Sequence, residues 1–242
     1  MQRILAFEMM KEEAINGLAL LIKFKNERII DSLQSGCVYM NSLEVFRKME
    51  ADSEENDEVA DPVDGLWHMH DAYVYTEDFS EPPIHVVDAG IQTKHSNDFC
   101  YCFFGIDEKH YVEQFNEKQK QKFLEIGDTA LIVTDLPQFL ERVKKAAIFR
   151  GYEFNCDFVE YYDPKVDSIN LQKIFGKDGL KHIAYRKKDI FSYQQEFRIT
   201  VHAPDVKEDH IVLNIGDISG ITTKKKTIDV LNARFGKKVP QA

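Results

Sequence analysis

Apolar and polar positions alternate with a period of two from Gln194 to Val201, placing Phe197, Ile199 and Val201 on one face of an extended strand and Gln194, Glu196, Arg198 and Thr200 on the other. That pattern predicts a half-buried antiparallel strand with a solvated polar face. Runs rich in β-branched and aromatic residues predict further strands at LLIKF, CVYMN, DAYVYT, IHVVD, FCYCFF, TALIVT, FNCDFVEYY and HIVLNIGD. Helical spacing appears between them. A short helix after LLIKF is bounded by Asn26 as N-cap and Gly36 as stop, with Ile29, Ile30 and Leu33 inward. A second is predicted from Glu108 to Ile126, capped by Asp107 and ended by Gly127, and a third from Pro137 to Arg150, between Asp135 and Gly151. The third carries Phe139, Leu140, Val143 and Ala147 along one stripe, the signature of core packing. A last helix is expected near Thr227 to Arg234, with Ile228, Leu231 and Phe235 as its apolar face. Strands outnumber helices without strict βα alternation. The expected class is therefore α+β, with a mixed, mainly antiparallel sheet and flanking helices.

Size and composition fit one domain. At 242 residues and 43% hydrophobic content, the chain can bury a substantial core as a single unit. The apolar run GLALLIKF, residues 17 to 24, is too short for the roughly 20 residues a bilayer span requires, and no signal-peptide pattern precedes it. A cytoplasmic protein without a membrane partner is the expectation. The four cysteines, Cys37, Cys100, Cys102 and Cys156, follow no disulfide or zinc spacing and read as buried thiols, with Cys100 and Cys102 on one strand face.

Charge is distributed unevenly. Between Met49 and Thr93 there is no Lys or Arg while thirteen acids occur, so removing them from the net charge of −10 leaves the remainder at +3. The segment from about residue 50 to 64 reads as a mobile acidic loop, too irregular for calcium-loop spacing. Basic clusters at Lys118 to Lys122, Arg142 to Lys145, Arg186 to Lys188 and Lys224 to Lys226 lack interleaved aromatics, so nucleic acid gains no support as a partner. His68 and His70 have the i, i+2 spacing of two ligands on one strand face, but no third ligand can be named and no metal is expected. Gly-rich phosphate loops, G-x-S-x-G elbows and H-E-x-x-H helices are absent from the sequence.

Two resemblances add to this reading. The runs LIKFKNERIIDSLQSGCVYMNSLEVFRKME, VADPVDG, GDTALIVTD, YRKKDIFSYQQEFRI and NIGDISGI together resemble a family of bacterial proteins of similar length whose biochemistry is uncharacterised. More distantly, the order of elements resembles ADP-ribosyltransferase-like domains: a strand bearing a polar residue (Lys23), a short helix from Asn26, a second strand with Tyr39 and Ser42, and a late strand with Gln194-Gln195-Glu196. The first position in that family is usually Arg or His, and MNSLE offers only Ser42 of the family's Ser-Thr-Ser element. This resemblance implies an NAD-cleaving transferase or effector in bacterial conflict or phage defence, with NAD as substrate and a macromolecular acceptor. Glu196 would be the catalytic carboxylate and Gln194 would orient the acceptor; Lys23 would hold a phosphate or ribose, Tyr39 and Ser42 would line the nicotinamide pocket, and Arg198, with Lys187 and Lys188, would meet the pyrophosphate. The chemistry is coherent, since a carboxylate beneath the ribose stabilises an oxocarbenium-like transition state. A different class is a non-enzymatic interaction module whose contact surface is the acidic segment at 50 to 64, with Glu196 structural.

Overall fold

Asn26 and Gly36 bracket the first helix, as their chemistry dictates. In the computed structural model, which describes residues 18–51, 66–74, 80–92, 98–163 and 183–236, β1 (Leu18–Lys25) leads into α1 (Glu27–Gln34). The Asn26 side chain accepts a hydrogen bond from the Ile29 amide, satisfying one of the orphan donors of the first turn. Gly36 ends the helix at φ 99, and a Cβ there would lie 2.2 Å from the Gly216 carbonyl oxygen, so both conformation and space require glycine. Ile30 and Leu33 are buried as expected; Ile29 is left 43% exposed. The chain returns as β2 (Cys37–Ser42) and continues into α2 (Leu43–Ala51).

The sheet is built around β5 (Asp98–Asp107), an almost wholly apolar strand buried on both faces. One edge of β5 pairs with β10 (Glu196–His202), which in turn pairs with β7 (Glu153–Phe158). The other edge is shared: β2 pairs at Phe99 and Cys100, and β1 pairs from Phe104 to Asp107. The sheet therefore forks along β5, with no β1 or β2 pairing at Tyr101, Cys102 and Phe103. One branch runs from β2 to β11 (His210–Asn214), the other from β1 through β6 (Thr129–Val133) to β12 (Thr222–Lys226). Every pairing in this eight-stranded sheet is antiparallel, and the fold is α+β. A separate hairpin joins β3 (Leu66–Val74) to β4 (Ile84–Gln92), and β8 (Glu160–Tyr162) pairs in parallel with β9 (Arg186–Lys188).

Each face of the sheet has its own cover. Leu21, Met40, Phe99, Tyr101, Phe103, Leu131, Phe197, Ile199 and Val201 meet α1 and α4 (Leu136–Phe149) in the largest core cluster. The stripe Phe139, Leu140, Val143 and Ala147 is buried there, behind the predicted Asp135 cap. On the opposite face, Ile22, Phe24 and Phe104 pack against Phe123 of α3 (Glu117–Ile126) and against Val230 and Leu231 of α5 (Thr227–Leu231).

Three expectations are corrected. The helix predicted from Glu108 begins at Glu117, where Asn116 and Gln119 form a reciprocal capping box; Asp107 instead accepts from the Lys109 and His110 amides in a turn. In α5 the buried residues are Thr227, Val230 and Leu231, while Ile228 is 44% exposed. FNCDFVEYY is two strands rather than one, interrupted at Val159. The acidic segment at 50 to 64 lies almost wholly outside the described residues. Among those residues no helix is long and apolar enough to cross a membrane.

Candidate functional site

The strand carrying Glu196 starts two residues later than its alternation predicts. Gln194 ends a 3₁₀ turn (Asp189–Gln194), Gln195 adopts a left-handed backbone at φ 42, and β10 begins at Glu196. Gln194 and Glu196 therefore do not share a strand face as residues i and i+2. Gln195 is the one non-glycine residue with positive φ among those described, and its side chain holds the conformation by donating to the Gly105 and His110 carbonyls, both at 2.7 Å.

The polar face of β10 is buried, which corrects the solvated face expected from the sequence. Glu196 is 9% exposed and Arg198 1%, beneath the segment 183–194. Arg198 Nε donates to Glu196 Oε2 at 2.8 Å, and Lys187 Nζ donates to Glu196 Oε1 at 3.1 Å. Lys187 Nζ also donates to Gln194 Oε1 at 2.7 Å and sits 4.6 Å from the Phe191 ring centre, while Arg198 Nη1 donates to the Ala184 carbonyl. The Glu196 amide donates to the Tyr161 hydroxyl at 2.9 Å. Burial alone would raise the Glu196 pKa, but the Lys187 and Arg198 charges and their hydrogen bonds outweigh it and hold the carboxyl at about 2. The result is a buried, ionised carboxylate gripped by two cations. Tyr161 moves the other way, its phenol pushed well up by burial beside that carboxylate.

Register decides which candidates share this site. Glu196 and Arg198 pair with Phe104 and Cys102, so their side chains stand on the face that carries Cys100, Cys102 and Phe104. Lys23 follows Ile22, the partner of Phe104, and therefore points to the opposite face, one residue beyond the level of Glu196 and across β5 from it. Its Nζ enters the fork and donates to the Cys102 carbonyl at 2.6 Å, 4.1 Å from the Tyr101 ring centre and 5.8 Å from that of Phe103. Burial draws its pKa from 10.5 to about 8, against the opposing pull of Cys102 and Glu196. Ser42, partner of Phe99, is buried, and its hydroxyl accepts from the Val45 amide at the start of α2. Tyr39 is 47% exposed and stacks on His210 of β11 at 4.7 Å between ring centres.

The structure thus brings Glu196, Arg198 and Gln194 together, sets Lys23 across the sheet and leaves Ser42 and Tyr39 in local roles. Lys187 and Tyr161 were missed as partners of Glu196. Lys187 lies nine residues away on a three-residue strand, a spacing that no periodicity singles out. A cavity of about 640 Å³ opens beside Gln195, lined by Tyr111, Asn116, Lys118, Ser192 and Tyr193 among others, and Glu196 is not one of its lining residues. His68 and His70 lie on β3, whose side chains there are not described; among the described residues no group of three or more His, Cys, Asp or Glu could hold a metal ion. None of the four cysteines forms a disulfide; Cys100 and Cys156 are buried as expected, and Cys37 and Cys102 are half-buried. No family model, curated protein or solved structure matches this chain.

Proposed function

We propose that the chain is an ADP-ribosyltransferase-like enzyme that cleaves NAD and uses Glu196 as its catalytic carboxylate, acting in bacterial conflict or phage defence. The observation that carries this reading is convergence on β5: the strand bearing Lys23, the strand ending in Ser42 and the strand beginning with Glu196 all pair with it, and Ile22 and Glu196 meet the same residue, Phe104. A carboxylate already ionised and fixed needs no reorganisation to stabilise positive charge on a departing ribose. Gln194 is a positioning residue here, holding Lys187 against Glu196. Lys23 supplies a hydrogen-bond donor to a ribose in the fork, while Arg198, being 1% exposed, orients Glu196 rather than touching the pyrophosphate. NAD is the substrate and a macromolecule the acceptor.

Nicotinamide release from NAD tests this, with the protein alone and with cell extract as acceptor. Wild type releases nicotinamide, and Glu196→Gln, checked by near-UV circular dichroism to be folded at the assay temperature, loses at least about 2 kcal/mol of transition-state stabilisation. Equal turnover by both proteins contradicts the assignment.

One observation favours a second reading. Both Glu196 oxygens already accept charge-assisted hydrogen bonds from Lys187 and Arg198, as a purely structural triad requires. In that reading the chain is a non-enzymatic interaction module, the acidic segment at 50 to 64 is its contact surface, and wild type leaves NAD intact.

A further inference from the structure

We propose that the cavity of about 640 Å³ beside Gln195 is a binding site for a neutral hexopyranose. The inference concerns a pocket that Glu196 does not line, and it holds whether or not the chain cleaves NAD.

Three segments build the pocket, and hydrogen bonds hold them together. The loop from Tyr111 to Asn116 forms one wall, the first turn of α3 a second, and the turn Asp189–Gln194 with Gln195 the third. The buried Gln119 accepts from the Asn116 amide at 3.0 Å and donates to the Tyr193 carbonyl at 3.0 Å, so α3 is tied to both other walls. Gln195 completes the frame by donating to the Gly105 and His110 carbonyls, and it does so in a left-handed conformation of the kind that clusters at ligand sites. The pocket is therefore formed before any ligand arrives, and its volume lies in the range of small-molecule sites.

The lining decides what fits. It is mostly polar, with Val112 and Ile190 as its aliphatic residues, so an apolar ligand would strip water from polar groups and give nothing back. An anion would meet two carboxylates, Glu113 and Asp189, against one ammonium, Lys118, which lies 4.8 Å from the Tyr193 ring centre. Sugar hydroxyls answer both kinds of lining group, because each donates and accepts. Glu113 and Asp189 accept O–H donors, while Lys118 and the Asn116 side-chain N–H groups donate to oxygen, the Asn116 Oδ1 being engaged by the Gln119 amide. A pyranose also presents a face of C–H groups, whose counterpart is an aromatic ring. Tyr111 supplies it: its hydroxyl donates to the Phe235 carbonyl at 2.7 Å, which fixes the ring, and more than half of the residue stays exposed. Tyr193, the other ring of the lining, is buried under Lys118, so the pocket has no apolar slot for a flat aromatic ligand.

Saturation-transfer difference NMR on the full chain is the test, with glucose, galactose, mannose and N-acetylglucosamine as probes. At least one of these sugars should bind with a dissociation constant of about 1 to 10 mM, and its strongest signals should come from the C–H protons of one ring face. The 6-phosphate of that sugar should bind more weakly than the sugar itself, and Asp189→Asn, which removes one of the two carboxylates, should narrow the gap. Tyr111→Ala should weaken binding about fivefold, while Tyr111→Phe, which keeps the ring, should stay within about twofold of wild type. The Asp189→Asn comparison leaves Tyr111 untouched and so tests the site even if Tyr111→Ala does not fold. Failure of every sugar to bind at about 20 mM, an unchanged affinity in folded Tyr111→Ala, or tighter binding of the phosphate ester overturns the proposal.

Discussion

Glu196 shows how a single residue can be half-legible in a sequence. Its alternation with Phe197, Ile199 and Val201 was readable, and those three are fully buried as the pattern requires. What covers the other face was not readable, because Ala184, Tyr185 and Lys187 arrive from a separate segment whose position depends on tertiary packing. A hydrophilic face looks the same in sequence whether water or two cations meet it. The consequence is energetic: Glu196→Gln leaves Lys187 and Arg198 uncompensated in the interior and should cost about 3 to 5 kcal/mol, comparable with Phe197→Ala. Denaturant midpoints for the two variants check this, and a cost below about 1 kcal/mol for Glu196→Gln would return its side chain to solvent. The pH dependence has a definite sign. A carboxyl whose pKa falls from 4.5 unfolded to about 2 folded contributes stability that is complete above 4.5 and lost as pH falls towards 2. Lys23, lowered from 10.5 to about 8, acts oppositely: the unfolded chain holds more protons between those values, so stability rises with pH from about 8 to 10.5. Thermal melts against pH should show both slopes in wild type, with the acid slope lost in Glu196→Gln and the alkaline slope lost in Lys23→Met.

At the level of elements, local chemistry was legible wherever a cap and a periodic stripe coincided. Asn26 and Asp135 both cap the helices they were expected to cap, because a side-chain oxygen there answers a backbone donor with no help from the rest of the chain. Asp107 misled, since the same side chain closes a turn equally well. The late start of β10 was illegible for a related reason: glutamine carries no propensity for a left-handed backbone, and Gln195 is held there by carbonyls from β5 and from the turn beyond it. Packing between strands supplies a sharp test. A Cβ on Gly105 would lie 2.8 Å from the Phe197 Cβ and 2.7 Å from the Phe158 ring, so Gly105→Ala should destabilise the fold by about 1 to 3 kcal/mol through overpacking. An unchanged denaturant midpoint would mean that β5 and β10 are further apart than described.

For the whole molecule, the class was legible and the topology was not. Alternation and β-branched content announce antiparallel strands, yet nothing local says that β1 and β2 divide one edge of β5 or that Lys23 enters the gap. Sequence order placed Lys23, Ser42 and Glu196 along a line; pairing with β5 gathers their strands while alternation sends Lys23 to the face opposite Glu196. Amide hydrogen exchange should report this arrangement. The β5 amides that pair with β10 and also lie beside β1 or β2, outside the fork at Tyr101 to Phe103, should exchange slowest, and those of the edge strands β7, β11 and β12 faster. Fast exchange throughout β5 would contradict the sheet order.

Stability, the burial of β10 and the proposed chemistry all turn on one claim: that Glu196 is a carboxylate kept ionised inside the protein by Lys187 and Arg198. Carbon-13 NMR of the glutamate side-chain carboxyls, with the Glu196 signal assigned from Glu196→Gln, measures it directly. The account predicts that this signal stays at the ionised position from pH 7 down to about 3 while exposed glutamates titrate near their ordinary value. A Glu196 signal that titrates with the others near 4.5 would contradict it.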